Sequence, residues 1–253
     1  MASPFPPARL PLPASELLRI HAEALFRSDA AGRLRFNADP GYPEDELDPA
    51  PRFWMGRTQQ GAIWRARADL PGALVERLAA LAATVTPPAD PASQPTPTRG
   101  SPAAAIRAAL EAHAPVSEEW SGPAFWIPES SVPPGTVLIT PDNAHLLEAH
   151  FPWKRTPRAL HAAGPLVAAV ADDRAVAVCY CARLTAVAAE AGVDTTESAR
   201  GHGHGRAAVA GWAAAIRQRG LLPLYSTSWD NHASRGIARR LGMLAYADTW
   251  SVA

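Results

Sequence analysis

The apolar positions fall into two kinds of run. Some repeat every three to four residues, as on one face of a helix, and others alternate or continue over four to eight residues, as in strands. After a proline-rich stretch over residues 1–13, Leu17, Ile20, Ala24 and Leu25 share a helical face, with Ser15 placed to cap a helix that extends to about Phe26. Gly32 interrupts the chain before a short strand over 34–36. A polar loop carrying Glu44, Asp45, Glu46 and Asp48 follows. Residues 53–55 and 62–66 read as a hairpin turning near Gln59 to Gly61. Asp69 is placed to cap the next helix, with Pro71 in its first turn and Leu74, Val75, Leu78, Leu81 and Ala82 on its apolar face. Residues 86–101 are rich in Pro, Ser and Thr without periodicity and read as a linker or surface excursion. A helix over 103–113 and a short strand over 123–127 complete the first half.

From residue 132 the rhythm is regular. Strands are expected over 136–140, 165–171, 175–182 and 186–193, with short helices at 143–150 and 157–163 and a turn at Asp172 and Asp173. A helix then runs to Arg219, with Val209, Trp212 and Ile216 as its buried stripe and Gly220 at its end. A β-rich run over 222–228, a helix capped by Asp230 or Asn231 and closed by Gly242, and a strand over 244–250 follow.

Between the strand at 186–193 and the long helix lies Arg200-Gly201-His202-Gly203-His204-Gly205. The order strand, glycine loop, helix aims backbone N–H groups at one point. The first N–H groups of a helix lack internal partners and sit at the positive end of its dipole, so that point attracts an anion. Glycine at alternate positions lets a phosphate approach without meeting a Cβ. An ordinary flexible turn is the plainer reading of the same residues.

Composition narrows the picture. The 253 residues suffice for one large domain or two small ones, and about half are hydrophobic, enough for a real core. A formal net charge of +0 argues against a dedicated nucleic-acid binder. Lys154 is the only lysine; arginine occupies every other cationic position. The two cysteines, Cys179 and Cys181, stand two apart in an expected strand and face the same side, which disfavours a disulfide and leaves small buried hydrophobes. Two cysteines without a matching pair do not make a zinc site, and His202 and His204 lack further ligands at suitable spacing, so no metal is expected. No stretch approaches a membrane span and the N-terminus lacks a signal peptide's apolar core, so a cytoplasmic, membrane-free protein is the default.

Four features of the last 120 or so residues resemble the GNAT N-acetyltransferases. Arg200 to Gly205 fits that superfamily's (Arg/Gln)-x-x-Gly-x-(Gly/Ala) signature. The strand ending Ala188-Ala189-Glu190-Ala191-Gly192-Val193 precedes it at the usual distance. Asn231 and Ser234 fit the Asn-x-x-(Ser/Ala) pattern, and Leu241-Gly242-Met243 stands where Leu-Gly-Phe is usual. The resemblance implies a mixed, mainly antiparallel sheet flanked by helices over 131–253, that is, an α/β (α+β) class. Residues 1–130 read as an additional small α/β domain, with no catalytic constellation of its own, that forms a wall of the acceptor site or a partner surface.

The resemblance further implies acetyl-CoA as co-substrate. Arg200, Gly201, His202, Gly203, His204 and Gly205 would hold its pyrophosphate, Val193 and Thr195 would pair with the pantetheine arm, and Asn231 and Ser234 would touch its thioester end. Arg206, Arg235 and Arg239 are open to the ribose phosphate or to plain solvation. Transfer to a small-molecule or peptide amine needs a base, and Glu190, a carboxylate in an apolar run, is the candidate; it is expected either exposed at a splay between strands or with a raised pKa. Ser234 is the second catalytic candidate, with plain helix capping as its other role. The family's usual general acid, a Tyr seven residues after the Asn, is replaced by Ala238, with Tyr225 and Tyr246 as stand-ins. The acidic loop at 44–48 reads as solvated surface or as a lip attracting a cationic acceptor.

Two rival readings remain. Gly203-x-Gly205-x-x-Ala208 with Asp230 formally fits a Rossmann dinucleotide site, although only about fifty residues follow the loop. The absent Tyr also fits an acyl-CoA-binding sensor without catalysis. The oligomeric state is left open, a homodimer included.

Overall fold

The computed structural model describes residues 8–94, 100–156 and 158–253. The first seven residues of the proline-rich stretch, residues 95–99 of the excursion and Pro157 lie outside the described residues. In chain order the elements are α1 (Ala14–Leu25), β1 (Phe26–Ser28), β2 (Leu34–Asn37), β3 (Phe53–Thr58), β4 (Gly61–Ala66), α2 (Gly72–Ala82), α3 (Pro102–His113), β5 (Glu119–Trp126), β6 (Thr136–Leu138), β7 (Val167–Ala171), β8 (Arg174–Leu184), β9 (Ala188–Thr195), α4 (His204–Gln218), β10 (Leu222–Ser226), α5 (His232–Arg240) and β11 (Leu244–Val252). The expected short helices between β6 and β7 are tighter or wider than α: 3₁₀ turns at Pro141–Leu147 and Pro152–Arg155 and a π turn at Arg158–Ala162.

Two helix starts differ from expectation. Pro13 and Pro71, not Ser15 and Asp69, stand at the N-cap positions of α1 and α2. The Pro13 carbonyl accepts from the Glu16 and Leu17 N–H groups, and the Pro71 carbonyl from the Val75 N–H. The displaced polar side chains do other work: Asp69 accepts from Arg67 at 2.8 Å and 3.0 Å, which holds its pKa below the ordinary carboxylate value. Asp172 and Asp173 both take positive φ (49° and 54°), the geometry of the two-residue turn that joins β7 to β8.

Nine strands form one sheet in the order β4-β3-β11-β5-β10-β9-β8-β7-β6. Every neighbouring pair is antiparallel except β9 and β10, which run parallel. A doubly wound Rossmann sheet is thereby excluded, because it needs successive parallel strands. The sheet passes without a break across residue 130: β5, from the first half, lies between β10 and β11, and β3 pairs with the far side of β11.

Side-chain alternation sorts the two faces. On one face Cys179, Cys181, Ala189, Ala191 and Tyr225 pack under α4, whose Val209, Trp212 and Ile216 are fully buried. Both thiols are free; burial pushes Cys179 well above the ordinary thiol value and Cys181 up to about 11. On the other face α1 lays Leu17, Leu18 and Ile20 over Trp54, Ala188, Leu224 and Tyr246. A third cluster, with Phe53, Leu78 and Leu110, joins α2 and α3 to β3.

Candidate active site

The parallel pairing of β9 with β10 lasts for three positions, Leu222 with Ala188, Pro223 with Ala189 and Leu224 with Glu190. Beyond it the strands part. Residues 191–195 stay with β8, while Tyr225 and Ser226 stay with β5. β5 can hold its partner so closely because Gly122 has no side chain: a Cβ there would stand 1.8 Å from the Thr227 carbonyl oxygen. The parting opens a cleft of about 550 Å³, with Gly192 and Val193 on one lip, Tyr225 to Ser228 on the other, and Asn231 and Ser234 at its end.

Glu190 sits where the strands separate. It is only 5 % exposed, yet it lines the cleft. His21 Nε2 lies 3.2 Å from its Oε1, and Ser226 Oγ donates to the same oxygen. Among the described residues Oε2 takes no hydrogen bond. Burial pushes the Glu190 pKa up, but the His21 charge, the hydrogen bonds from His21 and Ser226, and Arg183 together hold it below the ordinary carboxylate value. The expected raised pKa is therefore corrected: the apolar run around Glu190 is offset by partners from α1 and β10 that its own strand does not reveal. Behind His21, Tyr246 O···Nδ1 is 2.9 Å. Burial pushes the Tyr246 pKa well above its ordinary value. The phenol keeps its proton, and the two ring nitrogens of His21 are held from opposite sides, Nδ1 by Tyr246 and Nε2 by Glu190.

Sequence reasoning missed His21. Its trace was there: His21 lies four residues after Leu17 and three before Ala24, on the buried face of α1, and is 0 % exposed.

The glycine loop ends at α4, whose N-cap, Gly203, has φ 89°. Gly201 has φ 80°, and a Cβ on either glycine would meet no protein atom within 4 Å. The first α4 N–H with a partner is Ala207, bonded to the Gly203 carbonyl at 3.0 Å. Preceding N–H groups are free to bind an anion in that open space, which fits a pyrophosphate. Gly205 serves packing instead, since a Cβ there would lie 2.9 Å from Thr195 Oγ1. Arg200, His202 and Arg206 are exposed around the loop, with His204 half-buried 6.4 Å from His202 between ring centres.

The remaining expected residues divide between the cleft and the frame. Val193 lines the cleft, and Thr195 packs at the start of α4. Asn231 caps α5, its Oδ1 accepting from the Ser234 N–H at 3.0 Å, and both residues border the cleft. Arg235 stacks on Trp229 and donates to its carbonyl at 3.0 Å, so it is held in the frame. Ala238, on the inner face of α5, is buried in the core. Of the two tyrosines, Tyr246 is sealed behind His21, whereas Tyr225 lines the cleft. The Tyr225 hydroxyl is buried without a hydrogen-bond partner, and burial pushes its pKa up to about 12 against a pull from neighbouring Ser234. Glu44 pairs with Arg35 at 2.7 Å and Glu46 with Arg158 at 3.2 Å, so much of the negative charge of the acidic loop is already matched. Among the described residues, no helix is long and apolar enough to cross a membrane, and no cluster of three or more His, Cys, Asp or Glu could hold a metal ion.

The sequence model of the acetyltransferase (GNAT) family matches residues 128–243, so the chain carries a GNAT acetyltransferase domain there. The match spans β6 to α5, including the glycine loop and both walls of the cleft. No curated protein is detectably similar in sequence. Among solved structures, a GCN5-related N-acetyltransferase-like protein from Streptococcus suis is 15% identical, with a TM-score of 0.46 over 81% of this chain and 85% of that one. A tandem GNAT protein from the clavulanic acid biosynthesis pathway is 17% identical, with a TM-score of 0.43 over 96% and 97%. A GCN5-related N-acetyltransferase from Kribbella flavida is 21% identical, with a TM-score of 0.39 over 57% and 62%. Of two further matched GNAT-family structures, from Novosphingobium aromaticivorans and Colwellia psychrerythraea, this chain covers less than two thirds of the length, 65% and 62%.

Proposed function

We propose that this protein is an acetyl-CoA-dependent N-acetyltransferase that acts on a primary amine of a small molecule or peptide by direct transfer. The observation that carries the reading is Glu190: a buried carboxylate at the splay of β9 and β10 that lines the cleft, with Oε1 anchored by His21 and Ser226 and Oε2 without a hydrogen bond among the described residues. The GNAT domain over 128–243 supports acyl transfer from acetyl-CoA as the general chemistry.

The residues divide the work. The N–H groups at the start of α4 hold the pyrophosphate, and charge-assisted hydrogen bonds of this kind contribute about 1.5–3 kcal/mol each. The free edge of β9 at Gly192 and Val193 aligns the pantetheine arm, so the thioester reaches the splay. An alkyl ammonium has a pKa of about 10.4, so only about one molecule in a few thousand is neutral at pH 7. Glu190 takes the amine proton, directly or through water. The amine nitrogen then bonds to the thioester carbon and releases its second proton to solvent in the cleft, the C–S bond breaks to free the amide, and the thiolate takes a proton. Tyr225 is the donor within the cleft for that last step, in place of the Tyr that Ala238 lacks.

Acetyl-CoA consumption against a broad amine panel, with wild-type and Glu190→Gln protein, tests the reading. Wild-type thiol release with at least one amine is expected. Glu190→Gln should lower kcat by about 10²-fold or more at pH 7, with little change in acetyl-CoA affinity and part of the rate returning at high pH, where the amine is already neutral. Acetyl-CoA binding without thiol release on any amine would point to the sensor, for which the loss of the family's Tyr at Ala238 is the favouring observation.

A further inference from the structure

Next to the cleft, on the α1 face of the sheet, lies a second cavity of about 400 Å³ that shares Ala182 and Arg183 with it. Its floor is the middle of β8. Tyr180 stands opposite Gly192 in the register, and its ring fills the place a Gly192 side chain would take, 2.6 Å from that Cβ position. Gly192 is two residues on from Glu190, so the Tyr180 ring lies on the same face, about 7 Å further along β9.

Over that ring sits Lys154, with Nζ 3.1 Å from the ring centre. Among the described residues it has no carboxylate within ion-pair distance and no hydrogen-bond partner, although it is more than half buried. Burial lowers its pKa, against a weaker opposing pull from Asp194. Two further cations border the cavity, but both are matched: Arg183 by Asp39 and Arg158 by Glu46. The ring meets the ammonium on one side only, and the rest of a half-buried, unpaired ammonium favours an anion. Arginine fills every other cationic position in this chain, and the one lysine stands here, as a compact point charge over an aromatic floor.

Resting on the acetyltransferase reading above, we propose that this cavity selects the acceptor: a primary amine that also carries an anionic group, the amine at Glu190 and the anion at Lys154. The carboxylate of an amino acid and the phosphate of an aminoalkyl phosphate share that chemistry.

The test is thiol release from acetyl-CoA with amino acids whose amine and carboxylate are one to five carbons apart, each beside its neutral amide, and with O-phosphoethanolamine. The N-acetylated acids and amides are also scored by thermal shift, a readout that needs neither Glu190 nor acetyl-CoA. For at least one acid, or for the phosphate, kcat/KM is expected to exceed that of the neutral partner by tenfold or more. Lys154→Met should erase the preference through KM with kcat nearly kept, and Lys154→Arg should restore part of it. Melting of the unliganded variants shows whether the fold survives. Preference for the acids identifies a carboxylate acceptor and preference for O-phosphoethanolamine a phosphate. Stabilisation of wild type but not of Lys154→Met by an N-acetylated acid, with no turnover, would uphold the cavity and sink the enzyme reading. Amides used as well as acids, a preference intact in Lys154→Met, or neither turnover nor stabilisation by any acid would overturn the proposal.

Discussion

His21 Nε2 lies 3.2 Å from Glu190 Oε1, across 169 residues of sequence. The contact ties α1, in the first half of the chain, to the carboxylate at the centre of the cleft. His21 touches no reacting atom; it acts through Glu190, by anchoring one oxygen and favouring the ionised form.

Replacing His21 with Phe keeps a ring on α1 but removes both nitrogens. Breaking one side of a buried pair typically costs about 3–5 kcal/mol, so the melting temperature should fall markedly. In the protein that still folds, Glu190 loses the charge and hydrogen bond that oppose its burial, and its pKa rises. The acid limb of the kcat/KM–pH profile should then move to higher pH. A limb that stays in place would separate His21 from the base.

Glu190 also links stability to pH. Its folded-state pKa lies below the ordinary carboxylate value, so folding favours the charged form. The resulting stability is fully present above the unfolded value of about 4.3 and is lost as pH falls through the lower folded value. Glu190→Gln, which resembles the protonated form, should melt below wild type at pH 7, and the gap should close on acidification. A gap independent of pH would mean that shape, not charge, is what the site senses.

Tyr225→Phe separates packing from chemistry. The Tyr225 hydroxyl is buried without a partner, so its removal should leave stability unchanged or raise it. If the hydroxyl protonates the leaving thiolate, kcat should nonetheless drop by about tenfold or more, within the range of general acid catalysis. Unchanged kcat with a stable variant would assign the proton to solvent.

Gly203 has φ 89°, and a Cβ there would meet open space. Gly203→Val should therefore cost about 1–2 kcal/mol from backbone strain alone. Its larger effect should be on acetyl-CoA: at 100 times its dissociation constant a ligand adds about 2.7 kcal/mol, and that thermal shift should disappear. A full shift in the variant would move the pyrophosphate away from this loop.

Gly122→Ala probes the frame of the cleft. Its Cβ would lie 1.8 Å from the Thr227 carbonyl oxygen, where β5 passes the strand end that opens the splay. Overpacking costs about 1–3 kcal/mol, and backbone cannot yield as a side chain does, so the loss should reach the upper end or more. Near-wild-type melting would show that β5 and the residues after β10 have room to separate.

The strands and the two long helices after residue 132 were legible because each carries its own local signal, whereas the short turns between β6 and β7 carry too few residues to distinguish α from 3₁₀ or π geometry. The Asp172-Asp173 turn, Asn231 as the cap of α5 and the three glycines before α4 are written within a few residues of where they act. The caps of α1 and α2 were misread because a proline carbonyl competes with a nearby polar side chain, and propensity alone does not rank them. The partners of Glu190 were hidden for a different reason. His21 and Ser226 reach it from α1 and β10, and nothing on β9 records their approach. The first half was expected to wall the site; Phe26, Asn37 and Trp54 do line the cleft, but the sheet also takes β5 into its middle, which a strand's own sequence cannot announce.

Insertion of β5 between β10 and β11 bears on how the protein is made. During synthesis the hairpin of β3 and β4 leaves the ribosome long before its other neighbour: Arg57 meets Asp248 191 residues later. β5 likewise waits for both of its partners, with an apolar face that nothing yet covers. Pairings this distant in sequence form slowly and leave strand edges open meanwhile. The nascent first half is thus the stage at which this protein is most exposed to aggregation, and at which a chaperone that covers strand edges would do the most for its yield.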